Sequence, residues 1–186
     1  SIGPHIEDAP VFLMGHSMGG MVLANYVITR QPQPRGLIFS SPFLGFNPDV
    51  PRFVLALAGI LGTISPWLPV GGVDNSGLSR DPAVVTAADN DPLAYHGKVK
   101  ARTGAQFNLA IQRAAAGFGQ ITAPMLVMHG SDDRIVPPSG SRLLHDHAAS
   151  TDKTLKIFEG GYHELWNDLC KEEMIGVIRD WVHARI

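Results

Sequence analysis

The chain has 186 residues, 45% of them hydrophobic and 17% charged, with a formal net charge of −2. That is the length and composition of one globular domain with a proper core, and it excludes extended disorder. With Lys and Arg scattered singly, the charge balance makes no electrostatic case for nucleic acid. The single cysteine, Cys170, excludes an internal disulfide and reads as a structural thiol in a mixed helical segment. The longest apolar stretch, Phe53 to Ile64, runs into Ser65-Pro66-Trp67-Leu68-Pro69 and falls short of the roughly 20 residues a membrane span needs.

In chain order, Val11-Phe12-Leu13-Met14, bounded by Pro10 and Gly15, is the first buried strand. A helix follows from Met18 to Arg30, with Met21, Val22, Tyr26 and Val27 at helical intervals, and Gln31-Pro32 stops it. Gly36-Leu37-Ile38-Phe39-Ser40 is a second buried strand. The strand–helix rhythm then lapses from Phe43 to Gln120, a stretch rich in Pro, Gly and Asp. It holds an apolar helix near 52–64 and a weaker one near 103–115. Pro124 to Gly130 restores the strand pattern, followed by a helix near Ser139–Ala149 and a strand at Thr154–Phe158. The last helix, near Asp168–Arg185, is amphipathic through Met174, Ile175, Val177, Ile178, Trp181 and Val182. This order predicts an α/β fold, a parallel sheet with helices on both faces. Residues 1–42 and 121–186 form its core, and 43–120 an inserted helical cap.

Met14-Gly15-His16-Ser17-Met18-Gly19-Gly20 lies where the first strand meets the first helix. That context makes Ser17 the nucleophile of a strained elbow, with Gly15 and Gly19 removing side chains that would collide with neighbouring backbone. The helix N-terminus directs its free N–H groups at the site, so the N–H of Met18 is the natural oxyanion donor. The competing reading is a serine that merely caps the helix. A serine nucleophile needs a base, and the base an orienting acid, in the chain order serine, acid, histidine. His129-Gly130-Ser131-Asp132-Asp133-Arg134 follows one predicted strand, and Gly160-Gly161-Tyr162-His163-Glu164 follows the next. Both therefore reach the carboxyl edge of the sheet, where sites in open parallel sheets lie. Asp133 is preferred as the acid because the turn after Gly130 needs residues before a carboxylate swings inward, leaving Asp132 to bond turn amides. His163 is the base. His16 and His129 adjoin the site and read as packing or local hydrogen bonding, and Glu164 as a solvated rim position. His145 and His147 do not share a helix face, so they do not read as a metal pair. No metal or other cofactor is implied.

With these segments in place, the sequence resembles the monoacylglycerol lipases of the α/β-hydrolase superfamily over essentially its whole length. The resemblance is carried by Gly15-His16-Ser17-Met18-Gly19-Gly20, Leu78-Ser79-Arg80-Asp81, Asn90-Asp91-Pro92-Leu93 and Gly130-Ser131-Asp132-Asp133-Arg134. It continues through Lys153 to His163. It implies Ser17 as nucleophile, Asp133 as acid and His163 as base in a carboxylic ester hydrolase. It also implies hydrolysis of monoacylglycerols to fatty acid and glycerol beneath an apolar cap that docks on lipid surfaces. Phe53, Val54, Leu55, Leu57, Ile60, Leu61, Ile64, Trp67 and Leu68 exceed what one helix needs to cover a small core, which suits an acyl tunnel or peripheral membrane contact.

A complete member of the family has further strands before the elbow, with a His-Gly loop giving the second oxyanion donor. The expectation is therefore the C-terminal half of the fold, needing the N-terminal half in cis or in trans. On its own it is expected to be poorly soluble and nearly inactive, since one lost oxyanion donor costs on the order of 10²–10³ in rate. Two further readings remain open at this point: a lysophospholipase or general carboxylesterase, and a catalytically silent module that binds lipid or a partner.

Overall fold

Among the described residues four parallel strands form the main sheet, in the spatial order first, second, fifth and sixth along the sequence. The computed structural model describes residues 9–47 and 52–186, apart from the side chains of residues 52–56 and 58. The strands are β1 (Phe12–His16), β2 (Gly36–Ser40), β5 (Met125–Gly130) and β6 (Lys153–Phe158). Between β2 and β5, among the described residues, lie a two-stranded antiparallel ribbon, β3 (Pro69–Gly71) with β4 (Val99–Lys100), and three α-helices: α2 (Arg52–Ile64), α3 (Pro82–Asn90) and α4 (Ala101–Gly117). Helix α1 (Met18–Arg30) connects β1 to β2, α5 (Ser139–His147) connects β5 to β6, and α6 (Lys171–His183) ends the chain.

Every residue of β2 and β5 is buried, as their uninterrupted apolar runs require of strands covered on both faces. Alternation along these strands divides the core in two. Leu37, Phe39, Met125 and Val127 point to one face and pack with Met21, Ala24 and Val27 of α1, Ile111 and Ala114 of α4, and Leu144 of α5. Ile38, Leu126 and Met128 point to the other, against Met174 and Trp181 of α6. The expected helices on both faces are present, and the C-terminal part of α4 belongs to the first core layer. Of the apolar positions anticipated on α1, Val22 and Tyr26 are instead 57% and 47% exposed. Among the described residues β1 is an edge strand, with Met14 47% exposed.

Helix α3 was not anticipated from apolar periodicity, and none of its residues is buried. Its signal is at the N-terminus instead: the Asp81 side chain accepts the N–H of Ala83, and Pro82 occupies the first turn. The side chains of Phe53, Val54 and Leu55, assigned to the apolar excess, lie outside the described residues. In the same segment Ile60, Ile64 and Trp67 are exposed, Trp67 at 80%.

The β1–α1 junction agrees with the expectation for Gly15 and corrects it for Gly19. A Cβ on Gly15 would sit 2.6 Å from the carbonyl oxygen of Gly19, and one on Gly20 2.6 Å from Cβ of Pro42. A Cβ on Gly19 would meet nothing within 4 Å. The close approach is thus between α1 and the segment after β2, one residue further along than the pentapeptide suggests. Gly15→Ala and Gly20→Ala should each destabilise the fold by about 1–3 kcal/mol, which is several degrees in Tm for a chain of this size. Gly19→Ala should leave Tm unchanged or raised, because alanine favours the helix by up to about 1 kcal/mol. Thermal unfolding followed by circular dichroism reads all three, and equal melting temperatures would contradict this account.

Candidate active site

Ser17 sits between the last residue of β1 and the first of α1 with φ 50° and ψ −121°, a left-handed conformation rare for a residue with a side chain. Backbone contacts hold it there. Its N–H donates to the carbonyl of Ser40 at 3.0 Å, while its own carbonyl accepts from Gly20 at 3.0 Å and Phe43 at 2.9 Å. The side chain makes no capping bond to α1, so the reading of Ser17 as a simple helix cap does not describe it. Instead Oγ–H donates to Nε2 of His163 at 2.8 Å.

His163 lies five residues past β6, buried at 3% exposure, and its Nδ1–H donates to Oδ2 of Asp133 at 2.7 Å. Asp133 lies three residues past β5, also buried, and its Oδ1 accepts the N–H groups of Ile135 at 2.9 Å and Val136 at 2.8 Å. Burial alone would raise the Asp133 pKa. The hydrogen bonds from His129 and His163, the His163 ring itself and the Val136 amide outweigh it, holding the carboxyl well below the usual range. An ionised acid on Nδ1 fixes the proton there and leaves Nε2 free to accept from Ser17. Asp132, the alternative acid, is exposed and accepts the Ser131 hydroxyl at 3.0 Å. The turn amides expected on Asp132 are taken by Asp133.

His16 and His129 both adjoin these groups through packing and hydrogen bonds. His129 is fully buried; its Nε2 lies 3.0 Å from both the Val136 carbonyl and Oδ2 of Asp133, and its Nδ1 accepts the Ser141 hydroxyl at 2.7 Å. Two oxygen acceptors at Nε2 require the proton on that nitrogen. The His16 ring packs at a tilt against His163 at 4.9 Å and against Trp166 at 4.5 Å, with Nδ1 3.1 Å from the Ser40 carbonyl. Burial, then the neighbouring His163 ring, pushes its pKa down to about 4. A neutral His16 therefore lies against the His163 ring. Trp166 carried no signal in the sequence, because its role depends on the turn between β6 and α6.

Ser17 and Met18 line a cavity of about 810 Å³, within the roughly 300–1,000 Å³ of small-molecule sites. Phe43, Leu57, Leu61, Phe107 and Val136 make most of its wall apolar, and Asp74 and Arg134 add charge. The remaining residues singled out in the sequence lie elsewhere or serve locally. Glu164 accepts from Asn167 at 2.8 Å, His145 pairs with Asp146, and His147 bonds the Leu143 carbonyl. Cys170 is half-buried, and burial raises its pKa. Among the described residues no group of three or more His, Cys, Asp and Glu side chains could hold a metal ion, and no helix is long and apolar enough to cross a membrane.

Comparison with known proteins finds relatives over nearly the whole chain. The model of the serine aminopeptidase S33 hydrolases matches residues 2–170. The monoacylglycerol lipase of Mycolicibacterium smegmatis is 36% identical, over 95% of this chain and 63% of that protein. The phospholipase YtpA of Bacillus subtilis is 35% identical, over 92% of this chain and 67% of its own. The crystal structure of Paleococcus ferrophilus monoacylglycerol lipase superposes with a TM-score of 0.86 at 37% identity, covering 94% of this chain and 68% of that one. The chain spans about three-fifths of the length of the monoacylglycerol and monoglyceride lipases it matches.

The depressed His16 pKa makes stability depend on pH. The folded state resists protonating a ring that the unfolded chain protonates near 6.5, so its contribution is complete above 6.5 and is lost as pH falls towards 4. The loss is at most about 3 kcal/mol across that window. Urea unfolding at pH 7 and pH 4.5 should show this loss in the native sequence and most of it abolished in His16→Asn, whose amide can still donate to Ser40. The same pH dependence in both would contradict the assignment.

Proposed function

The chain belongs to the serine aminopeptidase S33 family of hydrolases, with the α/β-hydrolase fold, and on that footing we propose that it cleaves carboxylic esters of monoacylglycerol-like lipids. The observation that carries this reading is the hydrogen-bonded line from Ser17 through His163 to Asp133, opening on an apolar cavity. Similarity to monoacylglycerol lipases supports the choice of substrate.

In the proposed reaction the Ser17 Oγ attacks the ester carbonyl as its proton passes to Nε2 of His163. Asp133 orients the imidazole and stabilises the imidazolium without taking the proton. The N–H of Met18, in the first turn of α1 where helical amides lack partners, receives the developing oxyanion. The imidazolium then protonates the leaving glycerol oxygen as the tetrahedral carbon collapses to an acyl-enzyme. Water, with His163 again as base, releases the fatty acid.

Residues 43–120 act in this account as a cap, rooted in the core through the C-terminal part of α4. Its exposed Ile60, Ile64 and Trp67 provide contact with a lipid surface, while Leu57 and Leu61 line the cavity for the acyl chain. A lysophospholipid is the second reading. It is favoured by Arg134, whose guanidinium lies over the Tyr162 ring at 4.6 Å and lines the cavity, and by the similarity to a phospholipase.

The test is hydrolysis of 1-monooleoylglycerol and of 1-oleoyl-lysophosphatidylcholine presented in matched vesicles. Faster release of glycerol than of glycerophosphocholine is expected, with Ser17→Ala at background and Asp133→Asn slower by on the order of 10⁴. The reverse preference selects the second reading. Folded protein with no Ser17-dependent turnover of either substrate would overturn both in favour of a silent lipid-binding module.

A further inference from the structure

The motif Leu78-Ser79-Arg80-Asp81 lies far along the chain from Ser17, Asp133 and His163, yet it meets the loop that carries His163. Asp168, with a fully buried side chain, is the meeting point. Its Oδ1 accepts from the backbone N–H of Arg80 at 2.9 Å and from Arg80 Nε at 3.1 Å. Its Oδ2 accepts from Arg80 Nη2 at 2.9 Å and from the N–H of Tyr162 at 3.0 Å. The carboxylate thus ties the residue before His163 to the residue after the turn at Leu165–Asn167, and ties both to Arg80. Ser79 adds a bond from its hydroxyl to the Asn167 carbonyl at 2.8 Å.

The backbone of the two segments is joined as well. His163 donates its N–H to the Gly77 carbonyl at 3.3 Å, and Glu164 donates to the Leu78 carbonyl at 2.8 Å. Gly77 is wedged on its other side against the acid turn, where an added Cβ would come within 3.0 Å of Ile135 and 3.3 Å of Arg134. It also lines the cavity with Ser17, Asp74 and Ser76. One short segment therefore touches the cavity, the turn bearing Asp133 and the loop bearing His163.

We propose that Arg80 is a positioning residue for His163, locking the histidine loop through Asp168 onto the segment that walls the cavity. The proposal rests on the assignment of Ser17 and His163 as nucleophile and base. An ion pair serves this purpose where apolar contact would not. Arg80 Nε shared between both oxygens, Nη2 on Oδ2 and two backbone amides, all on one buried carboxylate, fix direction as well as distance, whereas methyl groups would let the loop slide. An error of about 1 Å in placing a reacting group costs on the order of 10² in rate. Lysine keeps the charge but not the fork, so it should restore part of the effect and not all of it.

The experiment is inactivation of the full chain by a short-chain fluorophosphonate. Ser17 Oγ forms a bond to phosphorus, fluoride leaves, and the serine proton passes to His163. The maximal inactivation rate constant, the probe concentration giving half of it, and the fraction of molecules that become labelled are read separately. Arg80→Ala and Asp168→Asn should lower the maximal rate constant about 10- to 100-fold with the half-saturating concentration little changed, and Arg80→Lys should fall between. A purely structural role would shrink the labelled fraction while leaving the rate constant of the molecules that do label unchanged, and that result overturns the proposal. Because the rate constant belongs only to molecules that label, it stays readable if Arg80→Ala folds poorly, and Arg80→Lys provides a second reading. Native protein that does not label at Ser17 overturns the assignment of the nucleophile instead, so the two failures are distinguishable.

Discussion

The carboxylate of Asp133 is the constraint on which the rest of the site depends. One oxygen accepts two amides of its own turn, and the other faces the Nδ1–H of His163 and the Nε2–H of His129. The turn amides fix where the carboxylate lies relative to β5, and the carboxylate in turn fixes which nitrogen of His163 carries the proton. Only with that proton on Nδ1 does Nε2 present a lone pair to Ser17. Removing the carboxylate would leave the buried Nδ1–H of His163 without its acceptor, at a cost of about 1–3 kcal/mol, while the Nε2–H of His129 would keep the Val136 carbonyl. Stability and chemistry at this site are therefore not separable.

The sheet supplies the other half of the geometry. Because β1, β5 and β6 are parallel, the segments following them emerge at one edge, and residues distant in sequence converge there. The elbow adds strain at one point, Ser17, and the Ser40 carbonyl at the end of the neighbouring strand secures both the Ser17 amide and the His16 ring. Fully buried strands at the centre support that edge, while the segment between β2 and β5 supplies most of the wall of the cavity.

Much of this was legible in the sequence because it depends on local patterns. The apolar runs at Gly36–Ser40 and Pro124–Gly130 mark strands wherever they sit, and a glycine-flanked serine between strand and helix marks an elbow. Asp133 and His163 were candidates because each follows a predicted strand, and the structure brings both to Ser17. What depends on tertiary approach was not legible. Which glycine of α1 meets Pro42 is decided by how the helix lies against the segment after β2, so Gly20 rather than Gly19 is the constrained position. Arg80 and Asp168 are 88 residues apart, and nothing local to either announces the other. Strands of two and three residues, β4 and β3, are too short to show a period. Helix α3 did announce itself, through Asp81 and Pro82, but by its cap and not by an apolar face.

The central claim is that His163, oriented by Asp133, makes the strained Ser17 a nucleophile. Its most direct measurement is intact mass spectrometry with peptide mapping after exposure to a fluorophosphonate. The account predicts one adduct per chain, on the peptide bearing Ser17, and its loss in Ser17→Ala and in His163→Ala. A folded protein that stays unmodified, or one labelled on another residue, would contradict it.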